Sequence, residues 1–364
     1  MFKIIILGTR NRGVFAGGDV HIDKLANIYQ EKFGTKITRI ILPFPDAEFN
    51  ASSNIISLIK VIFLPVDKKY RELYHDAIIV APNPYPNYLI AALKISKLVG
   101  GCPVIYFHHL SISLKFIRRR GILRSLMNYY LNLLSLSVCK ILDMPIFLDN
   151  PNSYNLKGFD IFKDEDAPDE FINSKKISLK KDFDLCYVGR FEKHKGAIDM
   201  IKVVKILKRN NKNVRVAVVG SVKERFKIKV SKILKANNLD ENFIFFGTLD
   251  NEAKLKILSS SSIYLHLSYE EGWGMSVMDA ASSGIPIVAY DLPAYSYLKG
   301  KFNAVNVGDI EQVAKVIENV LSNYSEAASI AAEGKKLVDR YNYLDIARYQ
   351  IDSYERIINK RKKL

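Results

Sequence analysis

Short apolar runs recur along the chain, and most are followed by a segment with the periodicity of an amphipathic helix. The runs are rich in β-branched residues and are bounded by turn-forming residues, as is typical of parallel strands buried on both faces. In the first half, the pattern predicts strands at Lys3–Leu7, Thr38–Leu42, Val61–Leu64, Asp76–Val80, Pro103–Phe107 and Pro145–Leu148. In the second half, it predicts strands at Asp184–Val188, Val214–Val219, Phe243–Phe246, Ile263–Leu267 and Ile285–Ala289.

Between the two sets of strands lies a polar and charged stretch, Asn150 to Asp182, with few periodic apolar positions. We interpret it as the connection between two domains. The fold class is therefore predicted to be α/β, with two doubly wound, Rossmann-like parallel sheets facing a cleft. The predicted boundaries are 1–165, 166–342 and a final helical segment, 343–364. Ligands are expected at the carboxyl ends of the strands.

Composition and charge narrow the class of protein. The chain has 364 residues, which suits two domains of ordinary size. Its three cysteines have neither metal-ligand nor redox-pair spacing, which favours a reducing compartment. No signal peptide precedes the first strand, and the apolar runs are shorter than the roughly 20 residues that span a bilayer. The net charge of +16 predicts an anionic partner: a nucleotide, a phosphorylated acceptor, an acidic lipid surface or a nucleic acid.

The stretch Ser268 to Pro286 carries the most specific chemistry. Glu271 lies in a glycine-containing turn after an apolar run, and Asp279 follows eight residues later on a predicted helix. Gly272 and Gly274 allow the backbone to bend tightly and to approach a ligand closely. The positive end of the helix that follows favours an anion. Two carboxylates beside such a turn suit a ligand with phosphates and hydroxyls, such as a nucleotide sugar.

A second motif follows the strand that ends at Val188. The segment from Gly189 to Gly196 contains Arg190 and Lys195, and it opens a helix. Two cations five residues apart in a strand-to-helix turn can bind a diphosphate from opposite sides.

Together these segments resemble retaining glycosyltransferases of the GT-B fold, and most closely family four (glycosyl transferases group 1). That family has two Glu residues separated by seven positions, and the pattern Gly-Arg-x-x-x-x-Lys-Gly. The chain departs from it at one position, where Asp279 replaces the second Glu. The resemblance implies that Arg190 and Lys195 bind the donor phosphates, that Glu271 contacts the donor sugar, and that Asp279 contacts the ribose.

The resemblance also implies roles outside these two motifs. The first domain becomes the acceptor side and the second the nucleotide-sugar domain, with 343–364 packing back towards the first. His109 and the Gly17–Gly18 loop are expected beside the donor from the first domain, with His109 favoured over its neighbour His108. The remaining donor contacts are assigned to Gly220, Gly272, Trp273, Gly274 and Met275.

No metal or other cofactor is expected besides the nucleotide-sugar substrate. Asp164-Glu165-Asp166 has the spacing of the metal-binding carboxylates of the GT-A fold. Because it lies among other charges in the predicted connection and not after a buried strand, we interpret it as solvated.

A basic cluster with apolar neighbours spans 115–124, before a helix rich in Leu and Tyr. It fits a peripheral contact with an anionic membrane, a phosphate-binding segment, or a basic loop before a core helix. With the family resemblance, it suggests a cytoplasmic protein at the inner face of the cell membrane.

The predicted activity is metal-independent, retaining transfer of a sugar from a nucleotide-diphosphate sugar to a lipid-linked, glycan or protein acceptor. Three alternatives stay open: a sugar-nucleotide epimerase on the same fold, a nucleic-acid-binding protein, and a non-catalytic protein with a degenerate site. The positive charge motivates the second of these, although no aromatic–basic recognition motif supports it. The change from Glu to Asp at position 279 motivates the third.

Overall fold

The protein was analysed as a computed structural model, which describes residues 3–9, 17–42, 59–63, 66–108, 110, 122–149, 156–169 and 181–363. The chain divides into two compact units. The first comprises Met1–Asp166 together with Tyr343–Leu364, and the second comprises Ala167–Asn342. Each unit contains one six-stranded parallel sheet with helices between the strands, so the predicted α/β class with two doubly wound sheets is confirmed.

The sheet of the first unit has the strand order β2-β1-β3-β4-β5-β6. Its strands are β1 Lys3–Thr9, β2 Lys36–Leu42, β3 Ile78–Ala81, β4 Cys102–Phe107, β5 Ile146–Asp149 and β6 Ile161–Asp164. All the pairings are parallel, and each of β3 and β5 is buried at every position. Continuous burial explains why β3 is apolar throughout and β5 is apolar up to its last residue, Asp149, rather than alternating.

The described part of the first unit includes four helices before its last strand, besides the helical residues 59–62. They are α1 Gly17–Phe33, α2 Lys69–Leu73, α3 Pro86–Val99 and α4 Ile122–Ile141. The bounds of α3 follow from its sequence, because Pro86 occupies the first turn and Gly100 ends the helix with a φ of 66°. Helix α3 buries Leu89, Ala92 and Ile95 against the sheet.

The sheet of the second unit has the strand order β12-β11-β10-β7-β8-β9. Its strands are β7 Phe183–Val188, β8 Val216–Val219, β9 Phe243–Gly247, β10 Ser261–His266, β11 Ile287–Tyr290 and β12 Asn303–Val305. Successive strands are added on one side from β7 to β9, and on the other side from β10 to β12. The direction of the chain across the sheet therefore reverses between β7 and β10, which are neighbours.

The helices of the second unit are α5 Ala197–Arg209, α6 Glu224–Ala236, α7 Asn251–Ser259, α8 Met275–Ser282, α9 Ile310–Ser322 and α10 Tyr324–Val338. Two of them have a side-chain N-cap, since Asp250 accepts from the Ala253 N–H at 2.8 Å and Asp309 from the Gln312 N–H at 3.0 Å. The last helix, α11 (Tyr343–Lys362), belongs to the first unit and contacts α1.

Four expectations from the sequence were wrong. The run predicted as a strand at Val61–Leu64 is helical over 59–62. The predicted connection, Asn150 to Asp182, contains strand β6, and the short strand β12 was not predicted. The carboxylates predicted to be solvated are buried, with Asp164 1% exposed and Asp166 5% exposed. Asp164 is buried because it ends a strand of the sheet and is enclosed by side chains from distant parts of the chain.

Two predicted features fall wholly or partly outside the described residues. His109 is one, and residues 115–121 of the basic cluster are the other, whereas 122–124 form the start of α4. Within the described part of the chain, no helix combines the length and the apolar character that a membrane span requires.

Candidate functional site

The candidate site lies at the point in the second sheet where the chain reverses direction. The loop after β7 covers residues 189–196, and the loop after β10 covers residues 267–274. In doubly wound sheets, ligands bind outside the carboxyl ends of the strands at such a reversal. Both motifs identified in the sequence are in these two loops.

Close backbone contacts hold the two loops together. The Tyr269 N–H donates to the His194 carbonyl oxygen at 3.1 Å. Gly196 has a φ of 81°, and a Cβ at this position would lie 2.0 Å from the Leu267 carbonyl oxygen. Glycine is therefore required for the first loop to approach the second so closely, and this approach positions Lys195 against the second loop.

Lys195 and Glu271 form the central ion pair of the site. The Lys195 Nζ atom lies 2.7 Å from each oxygen of the Glu271 carboxylate. Their side chains are 19% and 12% exposed, so the pair is largely shielded from water. A buried pair of opposite charges with short hydrogen bonds is a strong local electrostatic feature.

Two further side chains extend this pair into the sheet. His266, the last residue of β10, has its Nε2 atom 2.9 Å from Glu271 Oε1. Its Nδ1 atom lies 3.1 Å from the hydroxyl of Tyr264. Burial by itself raises the pKa of the Glu271 carboxyl, but Lys195 and His266 outweigh it and hold that pKa well below its usual range. Glu271 is therefore ionised at neutral pH.

Arg190 lies at the start of the same loop as Lys195. Its backbone is fixed by the Tyr187 hydroxyl, which donates to the Arg190 carbonyl oxygen at 2.9 Å. The Arg190 side chain is 43% exposed, and its Nη1 atom is 3.8 Å from Glu192 Oε1. This long, solvent-exposed contact leaves the guanidinium accessible to an anion.

Glycines also determine how the neighbouring loops pack. A Cβ at Gly220 would lie 2.0 Å from the Gly189 carbonyl oxygen. The Gly220 N–H donates to the Gly247 carbonyl oxygen at 2.7 Å. The carboxyl ends of β7, β8 and β9 are thus joined through their backbones, and Gly220 is at the centre of this arrangement.

Helix α8 begins directly after the glycine turn. Its N-cap, Gly274, has a φ of 81°, and its carbonyl oxygen accepts from the N–H groups of Val277 and Met278 at 2.8 and 3.1 Å. The predicted donor contact Met275 is the first residue of the helix. The turn and the positive end of α8 therefore adjoin Glu271 in the chain, as an anion site at a helix N-terminus requires.

Trp273, a predicted donor contact, has its side chain in the hydrophobic core. The residue is 6% exposed, and its ring lies against that of Tyr297 with the centroids 5.2 Å apart. Its Nε1–H donates to the sulfur of Met278 at 3.4 Å. Only the backbone of Trp273 is therefore suited to contacting a ligand.

Asp279 is held by two partners, neither of which had a signal in the sequence. Its Oδ1 atom accepts from the Asp169 N–H at 3.0 Å, and its Oδ2 atom lies 2.9 Å from Lys254 Nζ. Lys254 is on α7, and its side chain is 15% exposed. A ribose at this position would have to share the carboxylate with these two donors.

The structure brings several predicted residues together and adds others. Lys195, Glu271 and the turn after it adjoin one another, and Arg190 is on the same loop as Lys195. Lys254, His266 and Tyr264 were missed. His266 has a weak sequence signal, since it ends an apolar strand five residues before the acidic residue. Gly17 and Gly18 form the first residues of α1, as the predicted glycine pair before a helix suggested.

The second unit matches a known sequence family. Residues 169–337 match the model of the family described as glycosyl transferases group 1. A segment of 164 residues is 24% identical to the capsular polysaccharide biosynthesis glycosyltransferase CapM of Staphylococcus aureus. That match covers 44% of this chain and 42% of the length of CapM.

Solved structures of GT-B glycosyltransferases share the fold over nearly the whole chain. Sucrose-phosphate synthase from Thermosynechococcus elongatus superposes with a TM-score of 0.78 at 14% identity, covering 99% of this chain and all of its own. HepE from Anabaena, solved in complex with UDP and glucose, superposes with a TM-score of 0.72 at 14% identity. That match covers 98% of this chain and all of HepE.

Proposed function

We propose that this chain, which carries a glycosyltransferase domain of group 1 over residues 169–337 on a GT-B fold, transfers a sugar from a nucleoside-diphosphate sugar to an acceptor hydroxyl. We further propose that the anomeric configuration is retained and that the donor site works without a metal ion. The main support is the ion pair of Lys195 and Glu271, which adjoins a glycine turn and the N-terminus of α8 at the reversal point of the second sheet.

The two cations of the first loop have the chemistry to bind the donor diphosphate. When the bond between the sugar C1 and the phosphate oxygen breaks, negative charge builds up on the departing diphosphate. A guanidinium at Arg190 and an ammonium at Lys195 stabilise that charge, as a metal ion does in other enzymes. Lys195 can bridge the diphosphate and Glu271, because an ammonium group has three hydrogens to donate.

Glu271 has the chemistry to orient the sugar. Since Lys195 and His266 keep it ionised, its oxygens accept hydrogen bonds from sugar hydroxyls. The backbone N–H groups of the turn from Gly272 to Met275 add donors, and Asp279 is assigned to the ribose together with its partner Lys254. Gly220 contributes backbone contacts at the end of β8, and His109, Gly17 and Gly18 stay assigned to the donor by resemblance.

Retention of configuration requires no strong base on the acceptor side. In this mechanism the leaving phosphate oxygen accepts the proton of the acceptor hydroxyl while the acceptor oxygen bonds to C1 on the face that the phosphate leaves. The protein contributes position and electrostatic stabilisation, which are the main sources of catalysis in group transfer of this kind.

The comparisons support a choice of donor and acceptor class. HepE is solved with UDP and glucose, so a UDP-sugar is the donor that we propose to test first. CapM is named for capsular polysaccharide biosynthesis, which favours a glycan or lipid-linked acceptor over a protein. The net charge of +16 and the basic cluster at 115–124 fit an acceptor at an anionic membrane surface, which we propose the protein contacts peripherally.

A nucleotide panel tests the donor site. We expect UDP to raise the melting temperature of the second unit more than GDP or ADP, because a ligand that binds only the folded state stabilises it. Lys195→Ala should lose most of that shift, whereas Lys193→Ala, an exposed lysine of the same turn, should keep it. The proposal fails if no nucleoside diphosphate shifts the melting temperature at millimolar concentration. Binding of random-sequence DNA at physiological salt, without any nucleotide effect, would instead favour the nucleic-acid alternative.

A further inference from the structure

A cluster of histidine and aspartate side chains lies in the first unit, at the carboxyl ends of neighbouring strands. His108 directly follows β4, Asp149 ends β5 and Asp164 ends β6. These three strands are neighbours in the sheet, and Asp149 and Asp164 are directly opposite each other in the strand register. One nitrogen or oxygen ligand atom from each residue lies within 4.8 Å of the other two.

The surroundings of Asp164 orient its carboxylate in one direction. Its Oδ1 atom accepts from His21 Nε2 at 3.0 Å and from Gln350 Nε2 at 2.9 Å. These two hydrogen bonds occupy Oδ1. The second oxygen of the carboxylate, Oδ2, lies 3.1 Å from His108 Nδ1. Outer hydrogen bonds that fix the rotation of a carboxylate in this way are typical of metal ligands.

Within the part of the chain that the structure describes, two polar atoms of these three side chains have no hydrogen-bond partner. One is Asp164 Oδ2, which belongs to a residue that is 1% exposed, and the other is His108 Nε2, which is itself buried. The contact between Asp164 Oδ2 and His108 Nδ1 has the distance of an ion pair without the geometry of a hydrogen bond. Buried polar atoms are almost always paired, so unpaired atoms in a His–Asp cluster indicate a missing ligand.

The carboxylates of the cluster indicate whether the missing ligand is a cation or an anion. Asp149, Asp164 and Asp166 are all at least nine-tenths buried, and among the described residues the imidazoles of His21 and His108 form ion-pair contacts with Asp164 and Asp166. Buried charges are tolerated when they are paired or when they coordinate a metal ion. A cluster rich in buried carboxylates favours a cation over an anion as that ligand.

We propose that His108, Asp149 and Asp164 bind a divalent transition-metal ion, of the class of Zn²⁺ or Mn²⁺. A set of one imidazole nitrogen and two carboxylate oxygens suits these ions. Atoms that share such an ion are about 3 to 4 Å apart, so small side-chain rotations bring the three ligands together. Three protein ligands also leave at least one coordination position for water or a bound molecule.

The three ligand atoms also predict which metal ions the site prefers. Mg²⁺ and Ca²⁺ prefer oxygen ligands, and Mg²⁺ gives up its water molecules reluctantly. A site with an imidazole and restricted space should therefore bind Zn²⁺ or Mn²⁺ at least about 10-fold more tightly than Mg²⁺. All three ligands belong to the first unit, whereas the metal-free binding of the donor diphosphate is proposed for Arg190 and Lys195 of the second unit.

The test is direct metal binding by the full chain after removal of metals with a chelator. Calorimetric titration with Zn²⁺ and with Mn²⁺ should give about one ion per chain, and elemental analysis of the loaded protein should give the same ratio. Asp149→Asn and His108→Ala should each weaken binding by about 10-fold to 100-fold, the range typical of lost or misoriented ligands. His108→Ala is included because its side chain is 18% exposed and its loss is easier to accommodate than that of Asp164.

Two control variants separate the site from surface binding. Asp160→Asn removes a carboxylate near the opposite end of β6, where its partner is Lys360 at 3.0 Å, and should leave metal binding unchanged. His75→Gln removes an exposed histidine that lies 3.3 Å from Asp76, a pair that could bind metal adventitiously. Circular dichroism and thermal unfolding of each metal-free variant report whether the first unit, which contains all the substituted residues, is still folded. The proposal is overturned if the wild-type chain binds no ion saturably, if Asp149→Asn binds as the wild type does, or if His75→Gln abolishes binding.

Discussion

The ammonium nitrogen of Lys195 lies 2.7 Å from both carboxylate oxygens of Glu271, although 76 residues separate the two in the chain. The contact joins the loops that follow the two central strands of the second sheet. It orients the ammonium, and together with His266 it keeps the carboxylate ionised in a largely buried position. One pair of side chains thus links the two motifs that the sequence presents separately.

We predict that Lys195→Ala lowers the turnover of the nucleotide-sugar donor by about 10² to 10³-fold, the usual loss when a preorganised electrostatic contact is removed. Steady-state release of nucleoside diphosphate measures this. Lys193→Ala is the matched control, because it removes an equal charge from an exposed position of the same turn. Near-normal turnover in Lys195→Ala would contradict its assignment to the diphosphate.

A second prediction concerns the acid stability of the second unit. Because the pKa of Glu271 in the folded protein is below its ordinary value of 4.5, the ionised carboxylate stabilises the fold above that pH. This contribution is lost as the pH falls from about 4.5 through the lower pKa of the folded state. The difference in urea-unfolding midpoint between the wild type and Glu271→Gln should therefore shrink as the pH is lowered from 6 towards about 3.

The control for this experiment is Glu252→Gln, which removes a carboxylate from the exposed surface of α7. An exposed ion pair contributes little to the free energy of unfolding, so the unfolding midpoint of this variant should match that of the wild type at every pH. A difference in unfolding midpoint between the wild type and Glu271→Gln that stays constant from pH 6 to about 3 would show that the charge of Glu271 does not stabilise the fold.

A third prediction concerns the close approach of the two loops. Gly196→Ala should destabilise the second unit by about 3 kcal/mol or more, because strain at a φ of 81° adds to a steric clash with the Leu267 carbonyl. UDP binding should weaken as well, since the clash moves Lys195 away from Glu271. Gly247→Ala is the comparison, because its φ is 69° but nothing lies within 4 Å of the new Cβ.

The free energy of unfolding of Gly247→Ala should fall by only about 1 to 2 kcal/mol, the cost of the left-handed conformation. Thermal unfolding in the presence and absence of UDP measures both effects. Equal losses in the two variants would mean that the contact between Gly196 and Leu267 is not tight in solution.

A fourth prediction tests whether Asp279 contacts the ribose. Asp279→Ala should weaken UDP binding by about 10-fold, the value of one hydrogen bond to a charged group. It should leave the binding of inorganic pyrophosphate, which has no ribose, within about twofold of the wild type. Competition of each ligand against a labelled nucleotide measures both affinities.

Lys254→Met separates the structural role of Asp279 from its binding role. Removing the partner at 2.9 Å leaves a largely buried carboxylate with one backbone donor, so the melting temperature should fall. If the Asp279→Ala variant loses affinity for pyrophosphate as strongly as for UDP, its effect is structural and the ribose assignment is wrong.

Much of the fold could be predicted from local sequence patterns. Buried parallel strands are continuous apolar runs, and ten of the strands were recognised for that reason. Strand β6, with the sequence Ile-Phe-Lys-Asp, is at the edge of its sheet and only partly buried, so it lacks this signal. The apolar run at Val61–Leu64 is short, and a short run of this kind does not distinguish a strand from a helix.

The candidate site could be predicted only where its residues form a local motif. Arg190, Lys195, Glu271 and Asp279 belong to two such motifs, and glycines mark the turns that carry them. The partners of these residues come from elsewhere in the chain. Lys254 precedes Asp279 by 25 positions, and His21 precedes Asp164 by 143. Nothing in the local sequence indicates such pairs, because they arise only when separate elements pack together.

Helix α11 has a consequence for the order in which the protein folds during synthesis. Gln350 on this helix accepts from the Tyr106 hydroxyl at 2.7 Å and donates to Asp164 at 2.9 Å, so the first unit lacks part of its buried polar network without it. The second unit is continuous in sequence, from Ala167 to Asn342, and precedes α11. The second unit is thus inserted between two segments of the first, so the first unit can complete its buried polar network only after the whole of the second has been synthesised. Limited proteolysis of a chain truncated after residue 342 would reveal this dependence as a protected second unit beside a cleavable first.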